Sequence, residues 1–161
     1  MKTEINITQD WPMTAPYVAV LPFKGEDILL SQIFSRGWEF PAAQRQSSET
    51  YEEAAHRLLM DQCGTQPLIL GKLAVEDLLI ERPADGLTDG SADELDPVQV
   101  VYFWAVVDDV SPSQSMDVGE PKFFNSKQIA AVPMVQQKKV LYDEAINYAK
   151  IVAEQLAKVS A

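Results

Sequence analysis

The stretch Gly37 to Gly64, GWEFPAAQRQSSETYEEAAHRLLMDQCG, decides how this chain folds. Ser48 or Thr50 can cap a helix, and Thr50 followed three residues later by Glu53 fits a capping box leading into EEAAHRLLMDQ. Glu52 and Glu53 in the first turn suit the helix dipole. Gly64 ends the helix, since glycine takes the left-handed backbone of a C-terminal cap at little cost. Residues at i, i+3 and i+4 share a helical face, so Leu58, Asp61 and Gln62 are expected to project together.

Upstream, Tyr17 to Phe23, YVAVLPF, is rich in strand formers. Lys24 to Asp27 then lead into a second apolar run, Ile28 to Ile33, and the two read as a hairpin. Downstream, Leu68 to Ile80 is mostly apolar, broken at Gly71 and Lys72 and carrying Glu76 and Asp77, which suits a strand with a bend or bulge. Val98 to Val107, VQVVYFWAVV, is a near-continuous apolar run, as in a strand covered on both faces. Between them, residues 81–97 hold Pro, Gly, Ser and the aspartates 85, 89, 93 and 96, too little apolar material to pack. An exposed, mobile loop is expected there, and its acidic residues miss the EF-hand spacing. From Pro133 onward, Leu141, Ala145, Tyr148, Ala149, Val152 and Leu156 recur at helical spacing, predicting an amphipathic helix over about 134–158. Strands, helix, strands and a final helix predict an α/β (α+β) sandwich, a mixed sheet flanked by helices, in one domain over 1–161.

With 161 residues and 47% hydrophobic content, the chain has the size of a single globular domain. A formal charge of −11 argues against a general nucleic-acid or anionic-membrane surface, because phosphate backbones are held mainly by Lys and Arg. A small phosphorylated ligand held through a metal stays open. No run approaches the roughly 20 apolar residues of a membrane span, and MKTEINITQDWPM has no uninterrupted apolar core, so a cytoplasmic protein is expected. Cys63 is the sole cysteine, which excludes an intramolecular disulfide and makes a small buried filler the expectation. His56, the sole histidine, reads as an exposed helix residue. Phe103 and Trp104 fall on opposite faces of their strand, so at most one faces a cleft, and core packing is expected for both.

Residues 43–65 resemble the Nudix box of the Nudix hydrolase superfamily, which runs Gly, five residues, Glu, seven residues, Arg, Glu, an aliphatic, any residue, Glu, Glu, any residue, Gly and an aliphatic. Glu49, Arg57, Leu59 and Gly64 match it, and Gly37 to Pro41 resembles the family's run into the box. Ala43, Leu58, Asp61, Gln62 and Thr65 stand at the first glycine, the three later acidic positions and the final aliphatic, so the box is degenerate. Ala42 and Ala43 replace two glycines whose backbone approaches the metal in the family, where a carbonyl at Ala43 remains a candidate ligand. The resemblance implies an architectural pairing of Glu49 with Arg57. It also implies that the face of 58, 61 and 62 would hold Mg²⁺ or Mn²⁺ on three carboxylates, of which Leu58 and Gln62 are lost and Asp61 remains. DVGEPKFF, Asp117 to Phe124, resembles the acidic stretch before an aromatic strand that carries a further glutamate in some members. Asp117 or Glu120 is then a metal candidate beside Asp61.

The expected function is a Nudix-fold protein with weak or no pyrophosphohydrolase activity, kept to bind a nucleotide-like small molecule or a partner. The alternative is an active hydrolase of nucleoside diphosphate derivatives with a rearranged Mg²⁺ or Mn²⁺ site, assembled from Asp61, Glu120 or Asp117, and Glu53. A third reading is an interaction domain that forms a homodimer through a sheet edge or the C-terminal helix.

Overall fold

The computed structural model describes residues 2–33, 37–79, 98–110 and 119–160. The acidic stretch at 81–97 and Asp117 lie outside the described residues. Strand β1 (Lys2–Ile7) comes first, followed by the expected hairpin of β2 (Tyr17–Lys24) and β3 (Asp27–Ile33). Gly25 turns that hairpin at φ 62°, in the left-handed region where a Cβ is disfavoured. Two short strands, β4 (Gly37–Glu39) and β5 (Ala42–Gln44), lead to helix α1 (Tyr51–Cys63). Strands β6 (Pro67–Leu79), β7 (Val98–Val107) and β8 (Lys122–Phe124) follow, then helices α2 (Pro133–Gln137) and α3 (Lys139–Ser160).

The strands form one mixed sheet in the order β1, β6, β7, β2, β3, β4, with β5 also on β2 and β8 also on β3. The β2 and β7 pair is parallel, Tyr17 facing Val100 and Ala19 facing Tyr102, while the other pairs are antiparallel. This places β7 between β6 and β2, which explains its apolar run. Alternation then divides β7 between two cores. Phe103 and Val101 pack with Ala55, Leu58 and Leu59 of α1 on one face. Val100 and Tyr102 pack with Leu141, Ala145 and Ala149 of α3 on the other. The expected sandwich of helices on both sides of a mixed sheet is therefore present.

Three details depart from the sequence reading. β1 is an addition to it, although Thr3, Ile5 and Ile7 alternate with polar residues; it pairs along β6 from Lys2 with Leu79 to Ile7 with Ala74. β6 has two irregularities, one between Pro67 and Ile69 that the sequence reading lacks and one between Lys72 and Ala74, beside the expected break at Gly71 and Lys72. Gly71 itself lies under the Trp104 indole, where a Cβ would stand 2.4 Å from Nε1; that indole stacks on Tyr148 at 5.1 Å and 5°. Finally, the C-terminal helix is not continuous. It breaks at Lys138, whose φ of −115° and ψ of 34° leave the helical region. Among the described residues, no helix is long and apolar enough to cross a membrane.

Candidate functional site

The entry to α1 is built by local hydrogen bonds. The Glu53 N–H donates to Thr50 Oγ1 at 3.1 Å, and the Thr50 N–H donates to Glu53 Oε1 at 3.2 Å. This reciprocal cap fastens the first turn and engages the Glu53 carboxylate. At the far end Gly64, at φ 61°, donates its N–H to the carbonyls of Leu59 and Met60.

Eight residues before Arg57, Glu49 closes the loop onto the helix. Arg57 Nε donates to Glu49 Oε2 at 2.6 Å and a terminal nitrogen donates to Oε1 at 3.0 Å, a fork geometry that fixes both planes. That terminal nitrogen also donates to the Gln44 carbonyl at 2.9 Å, tying α1 to β5. The Arg57 guanidinium, followed by the Gln46 N–H, holds the Glu49 carboxyl below its ordinary value of 4.5. A carboxylate whose folded pKa is depressed adds stability that is complete above the unfolded value and lost as pH falls through the folded one. Glu49→Gln is therefore expected to flatten the fall of melting temperature between about pH 5 and pH 3. Equal slopes in the variant and the parent would dismiss this role for the pair.

The three residues of the face at 58, 61 and 62 have different surroundings. Leu58 is fully buried in the core between α1 and the sheet. The Asp61 side chain is exposed, with its carboxylate 4.0 Å from the Arg57 guanidinium. Gln62 lies between them and reaches β5, where its Nε2 donates to the Ala42 carbonyl at 2.7 Å. Ser31 Oγ donates to the other end of the amide, Oε1, at 3.4 Å. The carbonyl that Gln62 engages is that of Ala42, the residue before Ala43. Glu120 is exposed in the segment before β8. Among the described residues, no three His, Cys, Asp or Glu side chains converge as a metal ion would require.

Cys63 is buried as expected, with its sulfur 3.7 Å from Ser31 Oγ. Burial pushes its thiol up to about 11, against a smaller opposite effect of the Ser31 contact. Because the thiolate is the nucleophile, Cys63 is expected to resist an aromatic disulfide reagent at pH 8 and to react once the protein is unfolded. Fast native labelling would contradict the burial. His56 is exposed, as expected, with Nδ1 2.8 Å from Gln66 Oε1.

On the face opposite α1, a cleft of about 440 Å³ opens between the sheet and α2. Alternate residues of three strands form its floor: Tyr17 and Ala19 of β2, Val100 and Tyr102 of β7, Glu76 and Leu78 of β6. Ala42, Ala43 and Gln44 of β5 form one wall, so the carbonyl bonded by Gln62 belongs to a residue that borders the cleft. Lys138, at the break between α2 and α3, closes the other side. Tyr102 Oη donates to Glu76 Oε1 at 2.6 Å, and Lys138 Nζ donates to the same oxygen at 3.2 Å. Lys138 Nζ also donates to Tyr102 Oη at 3.1 Å. Burial, and then the adjacent Glu76 carboxylate, raise the Tyr102 hydroxyl well above its ordinary value, so it remains a donor. Sequence reasoning does not find this trio. Its one visible sign is an acidic pair, Glu76 and Asp77, inside an apolar strand.

No protein-family model matches the chain, and no curated protein matches it by sequence. Solved structures do. A mutant of the pyrophosphohydrolase BsRppH of Bacillus subtilis superposes with a TM-score of 0.60 at 19% identity, over 76% of this chain and 70% of that one. The MutT protein of Bacillus halodurans gives 0.60 at 15% identity, over 81% and 80%. The NUDIX domain of Shewanella oneidensis NrtR, in complex with ADP ribose, gives 0.57 at 15% identity, over 87% and 86%. At these identities the likeness is one of architecture, and together with the capped helix, the clasp of Glu49 and Arg57 and the mixed sheet between helices, it gives this chain the Nudix hydrolase fold.

Proposed function

We propose that this chain binds a nucleotide-like small molecule without a divalent cation and with little or no pyrophosphohydrolase turnover. The observation that carries this reading is the 2.7 Å hydrogen bond from Gln62 Nε2 to the Ala42 carbonyl. A carboxylate at position 62 would repel that carbonyl oxygen unless a cation lay between them. The amide supplies a partly positive hydrogen instead, so the two groups satisfy each other directly. Leu58 has no lone pair and is held in the core, Asp61 lies exposed beside Arg57, and Glu53 is engaged in the helix cap. The residues present do not fit a divalent cation. Removing a single positioned acid or base typically costs on the order of 10² to 10⁴ in rate, so two lost carboxylates leave little of the ordinary mechanism.

The cleft beside Ala42 supports the binding half of the reading: it is concave, mostly apolar and carries a few convergent polar groups, as small-molecule sites do. That a NUDIX domain of the same fold was crystallised with ADP ribose points to the same ligand class. The test is a thermal-shift titration of the full chain with ADP ribose and other nucleoside diphosphate derivatives, in EDTA and with Mg²⁺ or Mn²⁺. A metal-independent rise is expected, corresponding to about 2.7 kcal/mol at 100 times the dissociation constant. Mg²⁺-dependent release of phosphate or nucleoside monophosphate at roughly 1 to 10³ s⁻¹ would overturn the reading. In that event Asp61→Ala should abolish turnover if the rearranged site around Asp61 and Glu120 is responsible.

A further inference from the structure

The sheet has two edges of unlike character. At one, β4 and β8 run three residues each, short enough to offer little to an incoming strand. At the other, β1 spans six residues and pairs, among the described residues, with β6 alone. Its register along β6 is unbroken from Lys2 to Ile7, and it holds no proline, so neither a bulge nor a missing N–H blunts it.

The pairing with β6 fixes which backbone groups face outward. Thr8 donates its N–H to the Leu73 carbonyl at 3.1 Å, in step with the pairing of Ile7 and Ala74. Backbone groups alternate in direction along a strand, so those of Asn6 and Glu4 also point to β6 and those of Thr3, Ile5 and Ile7 point away. Each of these three residues presents an N–H and a C=O at the edge. Their side chains share the face turned toward α3, where Ile5 packs against the core and Ile7 is 40% exposed. Glu4 and Asn6 are exposed on the other face.

We infer that β1 is an interface for a second copy of this chain, joined antiparallel across a twofold axis at Ile5 so that the two sheets become one. A twofold axis perpendicular to the sheet keeps each face on its own side, and directly opposed residues then share a face. Centred on Ile5, the register sets Ile5 against Ile5 and Thr3 against Ile7, and each of these outward-facing pairs exchanges both of its backbone bonds. On the other face Glu4 meets Asn6, whose amide can donate to the carboxylate. A register centred on Glu4 forms fewer outward-facing pairs and sets two carboxylates against each other, and one centred on Asn6 runs past the end of β1 at Ile7. The strand thus complements itself in one register, which is why the occupant is a second copy.

Sedimentation equilibrium of the full chain is expected to show a monomer–dimer equilibrium with a dissociation constant below roughly 1 mM. Thr3→Pro removes an outward N–H and no bond to β6, so it should weaken association by roughly tenfold or more while the dilute protein keeps the parent's melting temperature. Under mild oxidation Ile5→Cys should give a disulfide-linked dimer, because residues paired in this way stand about 5.5 Å apart at Cα, within the span of a disulfide. Thr3→Cys alone should not, whereas a mixture of Thr3→Cys and Ile7→Cys proteins should give the mixed dimer. The parent, with its buried Cys63, is the control. Should Ile5→Cys fail to fold, the mixture decides, since Thr3 and Ile7 are exposed. A chain that stays monomeric at roughly 1 mM overturns the inference. So does a dimer that Thr3→Pro leaves intact, that neither Ile5→Cys nor the mixture cross-links, or that Thr3→Cys cross-links by itself, because each places the contact at another surface or register.

Discussion

Replacing Leu58 with glutamate, the residue that the resemblance would place there, is expected to cost about 4 kcal/mol or more and to restore no activity. The leucine is fully buried against the sheet, and deleting such a side chain alone typically costs about 2 to 5 kcal/mol. A carboxylate in its place would have no cation to meet, and an unpaired buried charge carries a further penalty of several kcal/mol unless it takes up a proton. Domains of this size have about 5 to 15 kcal/mol in hand, so the variant should be largely unfolded or close to it. Urea unfolding followed by circular dichroism measures this directly. Gln62→Glu is the informative contrast. That side chain is only half-buried, and losing its bond to the Ala42 carbonyl should cost about 1 to 3 kcal/mol. A Leu58→Glu protein with the parent's midpoint would mean that the side chain can leave the core, so that position 58 could still face a ligand and this face of α1 could still hold a cation.

Lys138→Met is expected to destabilise by about 2 to 4 kcal/mol, although it keeps the bulk of the stem. Removing one partner of a buried ion pair leaves the other charge uncompensated, typically at about 3 to 5 kcal/mol. Lys138 is 29% exposed at the side chain, so part of its attraction is screened by water and the expected loss is shifted about 1 kcal/mol below that range. Tyr102 then remains as the donor to Glu76 Oε1. The coupling has a clear signature: with Glu76→Gln already present, Lys138→Met should cost appreciably less, because no buried charge is then stranded. Additive losses in the two-variant cycle would show that the lysine acts through packing of its stem against Tyr102 rather than through Glu76.

Much of the architecture is legible in the chain alone. The hairpin, the capped helix, its glycine stop and the covered strand at Val98 to Val107 each follow from signals a few residues apart: alternation, a capping box, a left-handed terminator, an unbroken apolar run. β1 escapes such reading because its alternation is weak and its partner, β6, lies some seventy positions away. The break at Lys138 escapes it for a related reason. Apolar spacing from Pro133 onward fits one continuous helix, and the lysine's attachment to Glu76, 62 residues earlier, leaves no mark on that spacing.

The candidate site divides in the same way. Sequence by itself identifies the residues of the resemblance: Glu49, Arg57, Leu59 and Gly64 match it, and Leu58 and Gln62 stand where it would place carboxylates, since identity is a property of the chain alone. Only the tertiary structure decides what those substitutions do. Leu58 turns into the core because the sheet face beside it is apolar, and Gln62 donates a hydrogen bond because the Ala42 carbonyl stands 2.7 Å away. The trio of Glu76, Tyr102 and Lys138 exists solely through folding, which brings a strand, its neighbour and a helix break to one oxygen atom. Short-range pattern sets what each segment can become; which charged groups share a buried space depends on contacts between segments far apart in the chain.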